Sequence, residues 1–145
     1  MNTENFEISK SKQGDIFGIV NFTRLEDLMI YHKDYDLTRS DIWLFINLCA
    51  WATNRSISVK MNIKGIAILM GTCENGLYLQ ILRLRTADLV RKREDGFMVN
   101  PNYLRFGTKQ IQALQRVNWA KIKPHSKAET HSVEVLKKEK LNSFS

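Results

Sequence analysis

The stretch from Ile63 to Asn100, IKGIAILMGTCENGLYLQILRLRTADLVRKREDGFMVN, constrains the fold more than any other part of the chain. Ile63, Ile66, Ala67 and Met70 recur at three- and four-residue steps, which predicts a helix with one apolar face, and Asn62 can cap its first turn. Gly71 stops that helix, because glycine tolerates the left-handed conformation that a helix C-terminus needs. Thr72 is placed to cap a second helix, with Glu74 in the first turn where the helix dipole favours an acid. Leu77, Ile81 and Leu84 give this second helix a core stripe, and it should end near Thr86 or Ala87. Leu89 to Arg93 then reads as a strand. Glu94-Asp95-Gly96 reads as a turn, because Asp-Gly accepts the positive φ angles of a tight hairpin, and Phe97 to Val99 reads as the return strand. Pro101, within Asn100-Pro101-Asn102, closes the unit. A helix, a tight turn, a second helix and a basic hairpin make nucleic-acid binding the first function to test.

The flanks support one helical domain around this unit. Ile16 to Val20 is a short apolar run that reads as a strand. Leu25 to Tyr31 reads as a short helix capped by Thr23, with Leu25, Leu28 and Met29 on one face. Thr38, followed by Asp41, is a variant capping box. It opens a helix to Thr53 in which Ile42, Phe45, Ile46, Cys49 and Ala50 recur at helical spacing. Trp43, Leu44 and Trp51 widen its apolar face, so this helix should be the most buried one. Ile57 to Lys60 alternates with period two and should pair with the hairpin. After Tyr103, Leu104 and Phe106, Thr108 can cap a last helix from Lys109 to about Ile122, with Ile111, Leu114, Val117 and Trp119 as its apolar face.

The chain has 145 residues, 43% hydrophobic and 10% aromatic, enough for one domain with a real core. Lys and Arg number 22 against 15 Asp and Glu, so the net charge is +7 and polyanions are favoured partners. Cys49 and Cys73 form no CxxC pair, which fits a reduced, cytoplasmic setting without disulfides. No apolar run reaches the roughly 18 residues that span a bilayer, and the polar N-terminus has no signal core. His32, His125 and His131 are scattered, and there is no metal-ligand spacing, phosphate loop or catalytic grouping. We therefore expect no enzyme activity, no metal or cofactor and no small-molecule substrate. The expected organisation is a flexible arm over 1–15, a central domain over 16–107, a C-terminal helix over 108–123 and a flexible basic tail over 124–145. Within that tail, VEVLKKEKL (133–141) is a short amphipathic piece.

The spacing Gly71-x5-Leu77-x3-Ile81-x2-Leu84-x4-Leu89-Val90 resembles that of bacterial winged helix-turn-helix regulators. The run GFMVNPNYLRFG, Gly96 to Gly107, resembles the end of the plasmid replication protein family RepL. The resemblance covers roughly Gly18 to Gly107. It implies a mainly α fold with a small β-hairpin, a winged helix-turn-helix, that binds double-stranded DNA in plasmid replication initiation or in replication or transcription control. Asp88 departs from the pattern, standing where many such proteins carry Gly before the wing. Gly76, early in the second helix, costs about 1 kcal/mol relative to Ala; it permits close backbone approach or marks a later helix start.

With the core stripe removed, the second helix offers Thr72, Glu74, Asn75, Tyr78, Gln80 and Arg83 to DNA. Asn75 suits adenine, Arg83 guanine or phosphate, Tyr78 phosphate or a thymine methyl, and Glu74 cytosine or solvent. The hairpin offers Arg91, Lys92 and Arg93 to phosphate, with Arg85 and Arg105 as further candidates. Alternation should send Arg91 and Arg93 to one face and Lys92 to the other. Leu79 and Leu82 fall on positions usually left polar. Together with Ile111, Leu114 and Val117 of the last helix they either pair two chains in a homodimer or pack against the N-terminal helix or the tail. The alternative function is a winged-helix protein-interaction module, or a repressor unrelated to replication.

Overall fold

The computed structural model describes residues 5–10, 17–52 and 56–125. The fold is mainly helical, with two small antiparallel sheets. β1 (Asn5–Lys10) pairs with β2 (Phe17–Asn21), so the segment read as a loose arm contributes an edge strand. The remainder of that arm, residues 53–55 (with Thr53, the expected end of the helix that opens at Thr38) and the tail beyond His125 lie outside the described residues.

α1 (Phe22–Ile30) is capped two residues earlier than expected: Asn21, not Thr23, accepts the free N–H of Arg24 at 3.0 Å. A 3-10 turn over His32–Tyr35 leads to α2 (Arg39–Trp51). Its capping box is formed, Thr38 Oγ1 accepting from Asp41 N and Asp41 Oδ2 from Thr38 N, at 3.1 and 2.9 Å. Leu44, Phe45 and Leu48 of α2 are fully buried and form the centre of the core. Trp43 is the exception to the expected wide apolar face: it points outward and is 60% exposed.

β3 (Ser58–Val59), β5 (Gly96–Val99) and β4 (Val90–Arg93) form the second sheet in that order. The turn between β4 and β5 falls on the expected residues, but Gly96 alone of the three takes a positive φ. Arg93 pairs with Gly96, so Glu94 and Asp95 make the two-residue loop, and neither has positive φ. Gly96 is required for another reason. It lies at φ +153, and a Cβ there would sit 1.9 Å from the Val59 carbonyl oxygen. The close passage of β3 demands the glycine.

β6 (Leu104–Phe106) pairs with β2, in the other sheet, and no local pattern in the sequence announces it. Asn100 makes the transition between the sheets. Its N–H donates to Leu89 O, its side-chain amide donates to Asp88 O, and its Oδ1 accepts from Asn102 N, at 2.9, 2.8 and 2.9 Å.

α5 (Lys109–Lys121) is capped by Thr108 as expected. Its inward face differs. Gln115 and Trp119 are buried, whereas Leu114 and Val117 are 60% and 50% exposed. Gln115 holds the helix on β6 by accepting from Phe106 N and donating to Phe106 O, at 3.3 and 3.0 Å. Both buried backbone groups of Phe106 are thereby satisfied by one amide, as buried polar groups require.

Candidate nucleic-acid interface

α3 (Ile63–Met70) and α4 (Glu74–Thr86) have the order and turn that the sequence predicts. Asn62 Oδ1 accepts from Gly65 N at 2.8 Å, and Gly71 takes the left-handed conformation at φ 66. One residue is displaced: Cys73, not Thr72, is the N-cap of α4, and it gives no side-chain hydrogen bond. Thr72 closes α3 instead, its N–H donating to Ala67 O at 3.1 Å. Gly76 lies inside α4. A Cβ there would come within 3.2 Å of Cys73 Sγ, so the glycine makes room for the cap residue and does not mark a later start.

The N-termini of α3 and α4 and the β4–β5 tip enclose a groove of about 550 Å³. Lys60, Lys64, Lys92 and Arg93 line it with Glu74, Glu94 and Asp95. A smaller depression of about 220 Å³ continues along α4 past Glu74, Asn75 and Tyr78. Behind the hairpin a cleft of about 380 Å³ carries Arg85, Lys92, Arg93 and Lys123 against one acid, Glu94. Lys92 is exposed and lines both grooves, so cations face solvent on either side of β4. Arg93 is partly tied down, donating from Nη1 to Ser58 Oγ at 3.1 Å and lying 3.6 Å from Asp95.

The structure does not bring all the candidates together. Glu74, Asn75 and Tyr78 share the α4 depression, and Lys92 and Arg93 the hairpin. Thr72 and Gln80 line a separate hollow beside α2, with Arg39 and Trp43.

Arg83 and Arg91 are engaged within the fold. Arg83 forms a two-pronged pair with the buried Asp41, Nε–Oδ2 2.7 Å and Nη2–Oδ1 3.1 Å, which ties α4 to the start of α2. Arg91 is 12% exposed and makes four internal hydrogen bonds. Nε and Nη2 donate to the Asp88 carboxylate at 2.9 and 3.0 Å, and Nη1 donates to Trp119 O and Ile122 O at 2.7 and 3.1 Å. Its guanidinium also lies 4.2 Å from the Trp119 ring centre. This side chain fastens the end of α5 to the base of the hairpin. Asp88, at φ 58, is held in the left-handed region beside it.

Arg105 sits on β6, in the other sheet, where burial and then the nearby Arg116 and Arg24 lower its pKa. It does not join the hairpin cluster.

Lys60, Lys64 and Lys123 are lining cations that sequence reasoning missed. Alternation along Ile57 to Lys60 already turned Lys60 outward; Lys64 and Lys123 are placed only by the tertiary fold. Among the described residues no group of three or more His, Cys, Asp or Glu could hold a metal, and no helix is long and apolar enough to cross a membrane. Compared with known proteins, the chain matches no family model, no curated protein and no solved structure.

Proposed function

We propose that the chain is a winged helix-turn-helix protein that binds double-stranded DNA, with α4 as recognition helix and the β4–β5 hairpin as wing. One observation carries this reading: the groove between the α4 N-terminus and the hairpin is lined by Lys60, Lys64, Lys92 and Arg93, and it runs on past Asn75 and Tyr78. Cations of this kind neutralise phosphates and position a duplex, while Asn and Tyr side chains read base edges. The interface is then Asn75, Tyr78, Lys60, Lys64, Lys92 and Arg93. Arg83 and Arg91 support it from behind. The RepL-like ending supports a role at a plasmid origin, in initiation or control, within the cytoplasm.

A gel-shift titration across salt tests the reading. Binding should weaken steeply with salt, and Lys92→Ala with Arg93→Ala should reduce the log–log slope by up to about 0.9 for each phosphate no longer neutralised. Absence of binding to any duplex at low salt, or binding indifferent to both substitutions, refutes it.

A second reading has its own observation. Leu114 and Val117 lie on the outward face of α5, about 60% and 50% exposed. They support a homodimer paired through α5, or an interaction module that binds another protein. Sedimentation of the wild type and of Leu114→Glu distinguishes these: a dimer that becomes monomeric supports the first, and a monomer in both cases excludes it.

A further inference from the structure

The hairpin stands between two cation-lined hollows. In front, the groove at the α4 N-terminus sets Lys60, Lys64, Lys92 and Arg93 against three acids, Glu74, Glu94 and Asp95. Behind, the cleft sets Arg85, Lys92, Arg93 and Lys123 against Glu94 alone. The excess of positive charge is therefore larger behind the hairpin than in front, and an anion is drawn there more strongly. The ends of two helices also meet at this cleft. Helix C-termini carry partial negative charge, which repels anions. Here both ends are answered within the chain. At the end of α4, Thr86 Oγ1 donates to Leu82 O at 2.8 Å, and Ala87 N and Asp88 N donate to Arg83 O and Arg85 O, each at 3.0 Å. At the end of α5, Arg91 Nη1 donates to Trp119 O and Ile122 O. Arg91 thus brings a cation to that end and fixes the segment that carries the exposed Lys123.

The two hollows share Lys92, and β4 lies at the edge of its sheet, beside β5. The ladder fixes which way the backbone of Lys92 points. Asn100 N donates to Leu89 O across the pair, whereas Val99 N donates to Ile57 O on the opposite side. Hydrogen-bonded and non-bonded pairs alternate along antiparallel strands. In the register Val90↔Val99, Arg91↔Met98, Lys92↔Phe97, the Lys92 N–H therefore points away from β5, to the free edge. Lys92 offers both an ammonium and a backbone N–H where the hollows meet, the two kinds of donor that hold phosphates. The hairpin tip is the opposite. Its loop is Glu94-Asp95, two acids that repel a phosphate chain. A strand of phosphates is thus received at the edge and back of the hairpin and turned away from its tip.

We propose that the cleft behind the hairpin is a second phosphate site: the DNA strand held in the front groove crosses the free edge of β4 at Lys92, and Lys123 and Arg85 take its next phosphates. The site holds the phosphodiester chain and reads no base. It rests on the DNA-binding reading above and extends that interface to the ends of α4 and α5.

Salt-dependent duplex binding by the full chain, with phosphate-ethylation interference, tests the path. Lys123→Ala alters an exposed side chain and should keep the fold by circular dichroism. It should lower the log–log salt slope by up to about 0.9 and weaken binding about equally on duplexes of unrelated sequence. Arg85→Gln added to it should lower the slope by up to about 1.8 in all. Ethylation should block the wild type at two adjoining groups of phosphates on one strand. Lys123→Ala should erase one group, and Lys64→Ala, at the front groove, the other.

A slope and an ethylation pattern untouched by Lys123→Ala, while Lys64→Ala still weakens binding, overturn the cleft and leave the DNA reading standing. Phosphate groups on opposite strands, or two duplexes bound per chain, overturn the single-strand path. Inorganic phosphate at constant ionic strength should compete with duplex no better than chloride. Stronger competition that Lys123→Ala abolishes makes the cleft a site for free phosphate and overturns the backbone assignment. No binding to any duplex at low salt refutes the DNA reading, and the cleft assignment with it.

Discussion

Arg91→Ala should cost about 3 kcal/mol of stability, because this cation belongs to the scaffold and not to a DNA-facing surface. The magnitude follows from its bonding partners. Nη1 donates to two helix-end carbonyls, Trp119 O and Ile122 O, at 2.7 and 3.1 Å. A hydrogen bond from a charged donor is worth about 1.5–3 kcal/mol, and stacking on the Trp119 ring adds about 0.5–2. The Asp88 pair contributes less than about 1 kcal/mol, since that carboxylate is 42% exposed. These terms share one side chain and do not add in full.

Urea denaturation reads the result. With a slope of about 2 kcal/mol per molar, the midpoint should fall by about 1.5 M. Arg91→Lys should recover little, because an ammonium lacks the planar fork that serves a carboxylate and two carbonyls together. Lys92→Ala, one residue away and exposed, should change stability by less than about 0.5 kcal/mol. The reasoning is refuted if Arg91→Ala costs under about 1 kcal/mol, or if Lys92→Ala costs as much.

Three further outcomes follow from the geometry. Asp41→Ala should lose about 3 kcal/mol in urea melts and Asp41→Asn distinctly less, because the carboxylate is buried and serves both Arg83 and the α2 cap, while Arg83 itself is 37% exposed and partly resolvates. Gly96→Ala should cost more than about 4 kcal/mol or abolish the fold by circular dichroism, since the new methyl would collide with backbone at Val59. Tyr35 donates to Asp27 at 2.6 Å, and that bond, before desolvation, raises its pKa to about 12. A raised folded pKa means that its contribution to stability is whole below about pH 10 and is lost as pH rises through about 12. Ultraviolet titration should show Tyr35 ionising late, beside Tyr103, whose pKa is raised first by burial, and Asp27→Asn should move Tyr35 back towards the ordinary range.

What could be read from the sequence was what is local. α3 was legible to the residue because Asn62 and Gly71 cap it through their own neighbours, and α2 because Thr38 and Asp41 are three residues apart. The misreadings came from distant partners. β6 is three residues long and exists through its pairing with β2, more than eighty positions upstream. Asp95-Gly96 has the letters of a tight turn, but the glycine answers to β3. Periodicity showed that α5 has an apolar stripe and could not show that Gln115 would take the inner side by satisfying Phe106. Three consecutive cations looked equivalent as letters. Asp88 and Trp119 withdrew Arg91, Ser58 and Asp95 held Arg93, and Lys92 remained the open one.

Asn100 gives the molecule a mechanical property. One amide side chain grips Asp88 at the root of β4 and Asn102 at the approach to β6, so Asn100 is a joint between the two sheets. β1, β2 and β6 form one plate beyond that joint, and β3, β5 and β4 form the other. Arg91 adds a second tie, from the hairpin to the end of α5. The hairpin is therefore braced at its root from two sides, by the segment that runs into β6 and by the end of α5.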